Sequence, residues 1–212
     1  MMITIFIDNH KVKANKNQTI LDAAKAAHIF IPTLCHLPGY VSRSVCRICL
    51  VEIMGQGHLA PACSTIVKEG MHVSTTSEKV VKTRQLIMEL ILAEHGSCQR
   101  PDCEIERLAI HLGVHATRFS LIKNKDSRAL SSEYLHIQPE LCIHCDRCIR
   151  ACRDKKVISR AKRGAWVTMT VGPDQRLDET PCVHCRDCAT VCPSGTILAL
   201  PTNIPRLTHY SI

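Results

Sequence analysis

Cysteine spacing constrains this chain more than any other feature. Of fourteen cysteines in 212 residues, eight fall in two copies of one run, CIHCDRCIRAC and CVHCRDCATVC. Cys142, Cys145, Cys148 and Cys152 recur at an offset of 40 as Cys182, Cys185, Cys188 and Cys192. Cys35, Cys46, Cys49 and Cys63 form a third, looser set, and Cys98 and Cys103 are left over. An even cysteine count permits a disulfide framework. The start, MMITIFIDNH, argues against one. It has no basic n-region, no long apolar core and no small-residue cleavage site, so a reducing cytoplasm is expected.

Three cysteines two residues apart wrap a loop around three corners of a tetrahedron. With a fourth shortly after, this is the spacing for [4Fe–4S] clusters in bacterial two-cluster ferredoxins, where the fourth cysteine ligates the other cluster. The expected sets are therefore crossed: Cys142, Cys145, Cys148 and Cys192 for one cluster, and Cys182, Cys185, Cys188 and Cys152 for the other. Two zinc sites are the alternative, but zinc knuckles rarely repeat such a four-cysteine run. Only the second run keeps a proline after its last cysteine, Pro193; Arg153 follows Cys152.

Aromatics make up only 3% of the chain, with Trp166 the single tryptophan, so burial must rest on Ile, Leu, Val and Ala with clusters tying loops together. His28 and Trp166 read as packing residues. The formal charge of +8 suggests nucleic acid. Thiolate-bound clusters discount it: at about −2 each, three would bring the holo-protein to roughly +2. The basic run Arg147, Arg150, Arg153, Lys155, Lys156, Arg160, Lys162 and Arg163 is either a solvated face or a docking surface for an acidic subunit. The best apolar run, Leu86 to Ala93, is interrupted by Glu89 and too short to span a bilayer.

The expected fold class is α+β in three parts. In residues 1–76, Ile3, Ile5 and Ile7 alternate as a strand, Asp8-Asn9-His10 turns, and Lys11 to Ala14 returns. Thr19 caps a helix with Asp22 three residues on, and Ile20, Ala23, Ala24 and Ala27 share its face. A hairpin followed by a helix suggests a β-grasp, completed by strands at 49–53 and near 71–73. Residues 77–130 are helical: Ser77 caps one helix, a second runs from Cys103 to Gly113, and a linker follows at 124–127. Residues 131–212 hold the cysteine repeat, with an inserted strand over 165–171 and a turn at Gly172-Pro173.

The segment IPTLCHLPGYVSRSVCRICLVEIMGQGHLAPACST resembles the N-terminal [2Fe–2S] domain of the large iron–sulfur subunit of respiratory complex I. It is equally similar to accessory domains of [FeFe]-hydrogenases, to N-terminal extensions of NAD-linked formate dehydrogenases, and to the small iron–sulfur subunit of NAD-reducing [NiFe]-hydrogenases. The resemblance covers most of the chain. It implies that Cys35, Cys46, Cys49 and Cys63 hold a [2Fe–2S] cluster. Those families carry H-x3-C-x2-C-x5-C next, for a further [4Fe–4S] cluster; here EHGSCQRPDC supplies only His95, Cys98 and Cys103. The expectation is no fourth cluster but a residual metal site at these three residues. The alternative is a cluster or metal completed by another subunit or an unusual ligand. His111 and His115 follow, with nothing to position them. His36, His144 and His184 are either exposed or donors to cluster sulfur.

No glycine-rich phosphate loop follows a strand, so neither flavin nor nicotinamide is expected on this chain. Only twenty residues follow Cys192, too few for a hydrogenase or molybdopterin domain. The resemblance implies a wiring subunit that relays single electrons between a flavin-bearing, NAD(P)H-reacting subunit and a catalytic hydrogenase or formate dehydrogenase subunit. A free-standing soluble carrier is the alternative. A redox-sensing regulator would need a DNA-binding motif, and neither a helix-turn-helix nor a basic helix is evident.

Overall fold

In a computed structural model the protein is described at residues 1–96, 98, 100, 102–120, 130–152, 155–172 and 175–201. The linker expected at 124–127, Arg153 and Pro173 lie outside these residues. The chain divides into two compact units, Met1–Leu90 with Leu108–Ala116, and Ile91–Arg107 with Thr117–Ile212. The class is α+β.

The first unit begins with the expected hairpin. Strand β1, Met2–Ile7, pairs antiparallel with β2, His10–Asn15, placing Ile3 opposite Ala14 and Ile5 opposite Val12. The two-residue turn takes Asp8 and Asn9 through φ 47° and 67°. Paired left-handed residues match the twist of the flanking strands, and Asp and Asn tolerate that region. Helix α1, Ile20–Ala26, starts with a full capping box: Thr19 Oγ1 accepts from the Asp22 N–H, and the Asp22 carboxylate accepts from the Thr19 N–H. It ends with the His28 N–H bonded to the Lys25 carbonyl and the Ile29 N–H to the Ala24 carbonyl. His28 holds the left-handed position between them at φ 57°. That place, usually a glycine's, points outward, so His28 is an exposed helix terminator and not a packing residue.

Strands β3 (Leu50–Ile53), β4 (Leu59–Pro61) and β5 (His72–Ser74) complete a five-stranded mixed sheet in the order β2-β1-β5-β3-β4. Strand β4 was not evident from sequence: it is only three residues long and ends in Pro61, a residue that counts against a strand. Ile5, Ile7, Ile20, Leu21, Val51 and Val73 meet in one core between sheet and α1. This is the grasp geometry the hairpin and helix suggested.

Helix α2, Glu78–His95, opens with Ser77 Oγ accepting from the Val80 N–H, and α3, Glu104–His111, stops at Gly113 with φ 69°. In the second unit β6 (Leu135–Ile137) pairs with β9 (Ile197–Ala199), and β7 (Ile158–Ala161) with β8 (Thr168–Val171). Short helices α4, Arg147–Ala151, and α5, Asp187–Thr190, follow the two cysteine loops. Strand β8 starts three residues later than the alternation suggested and is buried at all four positions. Trp166 falls in the 3-10 turn before it and is 73% exposed, so it is not a packing residue.

Candidate metal centres

In the first unit the loop from Cys35 to Cys49 makes its last turn through Arg47, at φ 57°, and delivers Cys49 to the start of β3. The Ala62 N–H bonds the Cys49 carbonyl, which brings Cys63 alongside. The four thiols associate as two pairs. Cys49 Sγ donates to Cys63 Sγ at 3.3 Å, and Cys46 donates to Cys35. The accepting sulfurs are drawn toward thiolate. Cys35 falls to about 6, chiefly through the Cys46 hydrogen bond. Cys63 falls to about 5 through Cys49 and then Ser42 and Ser44, whose hydroxyls lie 2.9 and 3.4 Å from its sulfur. The donors Cys46 and Cys49 are pushed up by the same bonds. Arg84, buried in α2, donates to the Leu50 carbonyl from Nε at 3.0 Å and Nη2 at 2.8 Å, and from Nη1 to the Thr75 carbonyl at 3.1 Å. Its charge is felt at Cys49.

In the second unit the repeat is visible in the backbone. His144 and His184 take φ 53° and 54°, and Asp146 and Arg186, each preceding its short helix, both take 63°. Each loop must reverse between successive cysteines, and two left-handed residues per loop do this. One cavity is lined by Cys142, Cys145, Cys148 and Cys192, and another by Cys152, Cys182, Cys185 and Cys188. Each therefore gathers three cysteines of one run and the last cysteine of the other. Leu135, Ala151, Val157, Ile158 and Leu177 wall the second cavity. Burial dominates the thiols here. It raises Cys142 and Cys188 to about 12, puts Cys148 well above its ordinary value, and lifts Cys182 and Cys185. None of the fourteen cysteines is joined in a disulfide.

The basic run is partly turned inward. Arg147 pairs with Glu104 at 3.1 Å, and Arg160 pairs with the buried Asp146 at 2.7 Å and donates to the His144 carbonyl. The His144 N–H lies 3.4 Å from Cys142 Sγ, while the His184 ring stacks on Tyr134.

His95, Cys98 and Cys103 also converge, and Glu106 joins them; the four donor atoms lie within 4.8 Å of one another. Glu106 was missed from sequence, although Cys103 and Glu106 stand at i and i+3 of the α3 start and so share a face. Neither His111 nor His115 belongs to this group.

A cubane takes four thiolates, and each four-cysteine cavity offers that donor set, the second behind mostly apolar walls and the first beside His144, Asp146, Arg160, Ser194 and Thr196 as well. Burial disfavours the thiolates of Cys142, Cys148, Cys182, Cys185 and Cys188, and a bound cation would offset that penalty, so these cavities fit metal clusters. The two thiol pairs of the first unit suit two adjacent tetrahedral irons.

Residues 1–78 match the 2Fe-2S iron-sulfur cluster binding domain family, and residues 141–196 match the 4Fe-4S dicluster domain family. The chain is 33% identical over 211 residues to NADP-reducing hydrogenase subunit HndD of Solidesulfovibrio fructosivorans, covering 93% of this chain and 36% of that protein. It therefore spans only about a third of that relative. It is 27% identical over 207 residues to the NAD-reducing hydrogenase HoxS subunit gamma of Cupriavidus necator, covering 93% of this chain and 87% of that one. A chain in the crystal structure of NAD+-reducing [NiFe]-hydrogenase in the H2-reduced state superposes with a TM-score of 0.86 at 26% identity, covering 98% of this chain and 90% of that one. Among the described residues no helix is long and apolar enough to cross a membrane. The chain is an iron–sulfur protein homologous to subunits of NAD- and NADP-reducing hydrogenases, with a 2Fe-2S domain at its N-terminus and a 4Fe-4S dicluster domain near its C-terminus.

Proposed function

We propose that this chain relays single electrons inside a multisubunit cytoplasmic oxidoreductase, between a flavin-bearing, NAD(P)H-reacting subunit and a catalytic subunit of hydrogenase or formate dehydrogenase type. It is organised as a [2Fe–2S] domain over 1–76, a helical segment over 77–130 and a two-cluster domain over 131–212. Cys35, Cys46, Cys49 and Cys63 hold one [2Fe–2S] cluster. Cys142, Cys145, Cys148 and Cys192 hold one [4Fe–4S] cluster, and Cys182, Cys185, Cys188 and Cys152 the other. The observation that carries this reading is the crossed lining of the two cavities. Crossing interleaves the runs, so neither half of the repeat completes its site alone, and the two centres lie in one small domain.

The clusters would supply reversible one-electron storage at low potential. The protein's own part is ligation, spacing and tuning. Ser42 and Ser44 hydrogen-bond Cys63, and hydrogen bonds to ligating sulfur raise the potential by stabilising the added negative charge. Burial of the cubane thiols acts in the opposite sense, because a low-dielectric wall penalises that charge.

Iron analysis of the anaerobically purified full chain should give about ten iron atoms per chain. A value near fourteen would overturn the three-cluster assignment. Affinity purification from the native host should recover the chain in fixed stoichiometry with a flavin-binding subunit. Recovery as a lone stable monomer would favour a free-standing carrier instead.

A further inference from the structure

His95, Cys98 and Cys103 are almost fully buried, Glu106 is half-buried, and together they present a ring nitrogen, two sulfurs and a carboxylate oxygen to one point. Among the described residues this is the one group of three or more such donors drawn together that closely. A Cys–His hydrogen bond alone would account for two members: Cys103 Sγ lies 3.2 Å from His95 Nε2. Cys98 joins through a hydrogen bond with Cys103, but hydrogen bonding gives no reason for the Glu106 carboxylate at the same point. Four groups able to ligate through a lone pair are gathered where water is scarce, and a cation between them would satisfy all four at once.

The imidazole is set for ligation. His95 Nδ1 is 3.0 Å from the Leu141 carbonyl, which has no proton to give, so the ring donates from Nδ1. Nε2 is then the unprotonated nitrogen, and it is the atom facing the two sulfurs and the carboxylate. Metal-bound histidines are oriented in this way, with the second ring N–H held by a carbonyl or carboxylate.

Spacing discriminates between kinds of centre. Tetrahedral zinc, with sulfur at about 2.3 Å and nitrogen or oxygen at about 2.0–2.2 Å, holds its donors roughly 3.3–3.8 Å apart. A cubane places each ligand outside a separate iron and holds them about 6 Å apart. Donors within 4.8 Å of one another match the single ion. Two thiolates with imidazole and carboxylate exclude the hard cations and suit tetrahedral zinc. Both thiols would lose their protons on binding, leaving a net charge of about −1 from two thiolates, one carboxylate and the divalent ion. The Arg100 guanidinium, paired with Asp102 at 2.6 Å, also lies in the field of Cys98 and Cys103.

We propose that His95, Cys98, Cys103 and Glu106 form a mononuclear structural zinc site that ties the end of α2 to the first turn of α3. Four protein donors leave no open position for substrate, so the role is structural. The site adds no iron, and its failure is therefore distinguishable from failure of the three-cluster reading.

The test is metal analysis and zinc-edge X-ray absorption on the full chain, loaded with iron and supplied with zinc. The expected result is about one zinc per chain, with two sulfurs and two nitrogen or oxygen atoms around it. In the double variant Cys98→Ser/Cys103→Ser, zinc should drop at least tenfold while iron stays unchanged. Absence of stoichiometric zinc in the parent would overturn the proposal. So would four sulfurs around the zinc, or four extra irons that vanish in the double variant. Should the double variant not fold, the parent's absorption spectrum decides alone.

Discussion

The first unit builds its core from a sheet and a helix whose side chains are mostly aliphatic, with Cys49 and Cys63 among them; the second packs five cysteines into and around a core framed only by pairs of short strands. Around Ile5, Ile20, Leu21 and Val51, the sheet and α1 bury apolar area whether or not Cys49 and Cys63 hold metal. In the second unit Cys188 is a core member, and Cys148, Cys152, Cys182 and Cys192 pack against Leu135, Ile158, Val171 and Ile197. Strands of three or four residues in pairs cannot stabilise themselves. The lesson is that one chain can hold clusters in two ways: as a cargo on a finished domain, and as the central part of an unfinished one.

Iron removal tests that contrast most severely. Chelating all iron from the full chain should abolish amide-exchange protection in β6 to β9 while leaving it in β1, β2 and α1. Loss of protection in both units together would break the comparison. Next in size, Leu21→Ala should destabilise the first unit by about 2–5 kcal/mol, read from its denaturant transition, because Leu21 is fully buried in that core. The visible absorption of the dicluster domain should not change. A smaller effect is expected for Arg84→Met. Stranding the Leu50 and Thr75 carbonyls should cost about 1–3 kcal/mol. Losing a cation whose field reaches Cys49 should also lower the potential of the N-terminal cluster. An unchanged midpoint in an EPR-monitored redox titration would show that Arg84 serves the fold alone.

Local elements were legible where their cause is local. The hairpin follows from alternating isoleucines and a turn of Asp and Asn, and α1 from Thr19 and Asp22 three residues apart. Strand β4 was not legible because it is short and ends in Pro61, nor was the exposed place of Trp166, which no sequence period reveals. His28 was misread because its burial depends on which residue takes the left-handed turn after α1, a matter of helix termination. Arg147 and Arg160 read as part of a basic surface, yet Arg147 is paired with Glu104, 43 residues away, and Arg160 with the buried Asp146.

The sequence by itself determined the chemistry: which cysteines recur, at what spacing, and that their loops demand cluster-like centres. Thiol spacing along a loop is a covalent property, so it survives without a fold. Only the tertiary structure decided what distant segments bring to each centre. It paired the four N-terminal thiols by twos and turned the face shared by Cys103 and Glu106 toward His95 and Cys98. The crossed sets were expected from spacing, whereas these meetings depend on how loops and helices pack against one another.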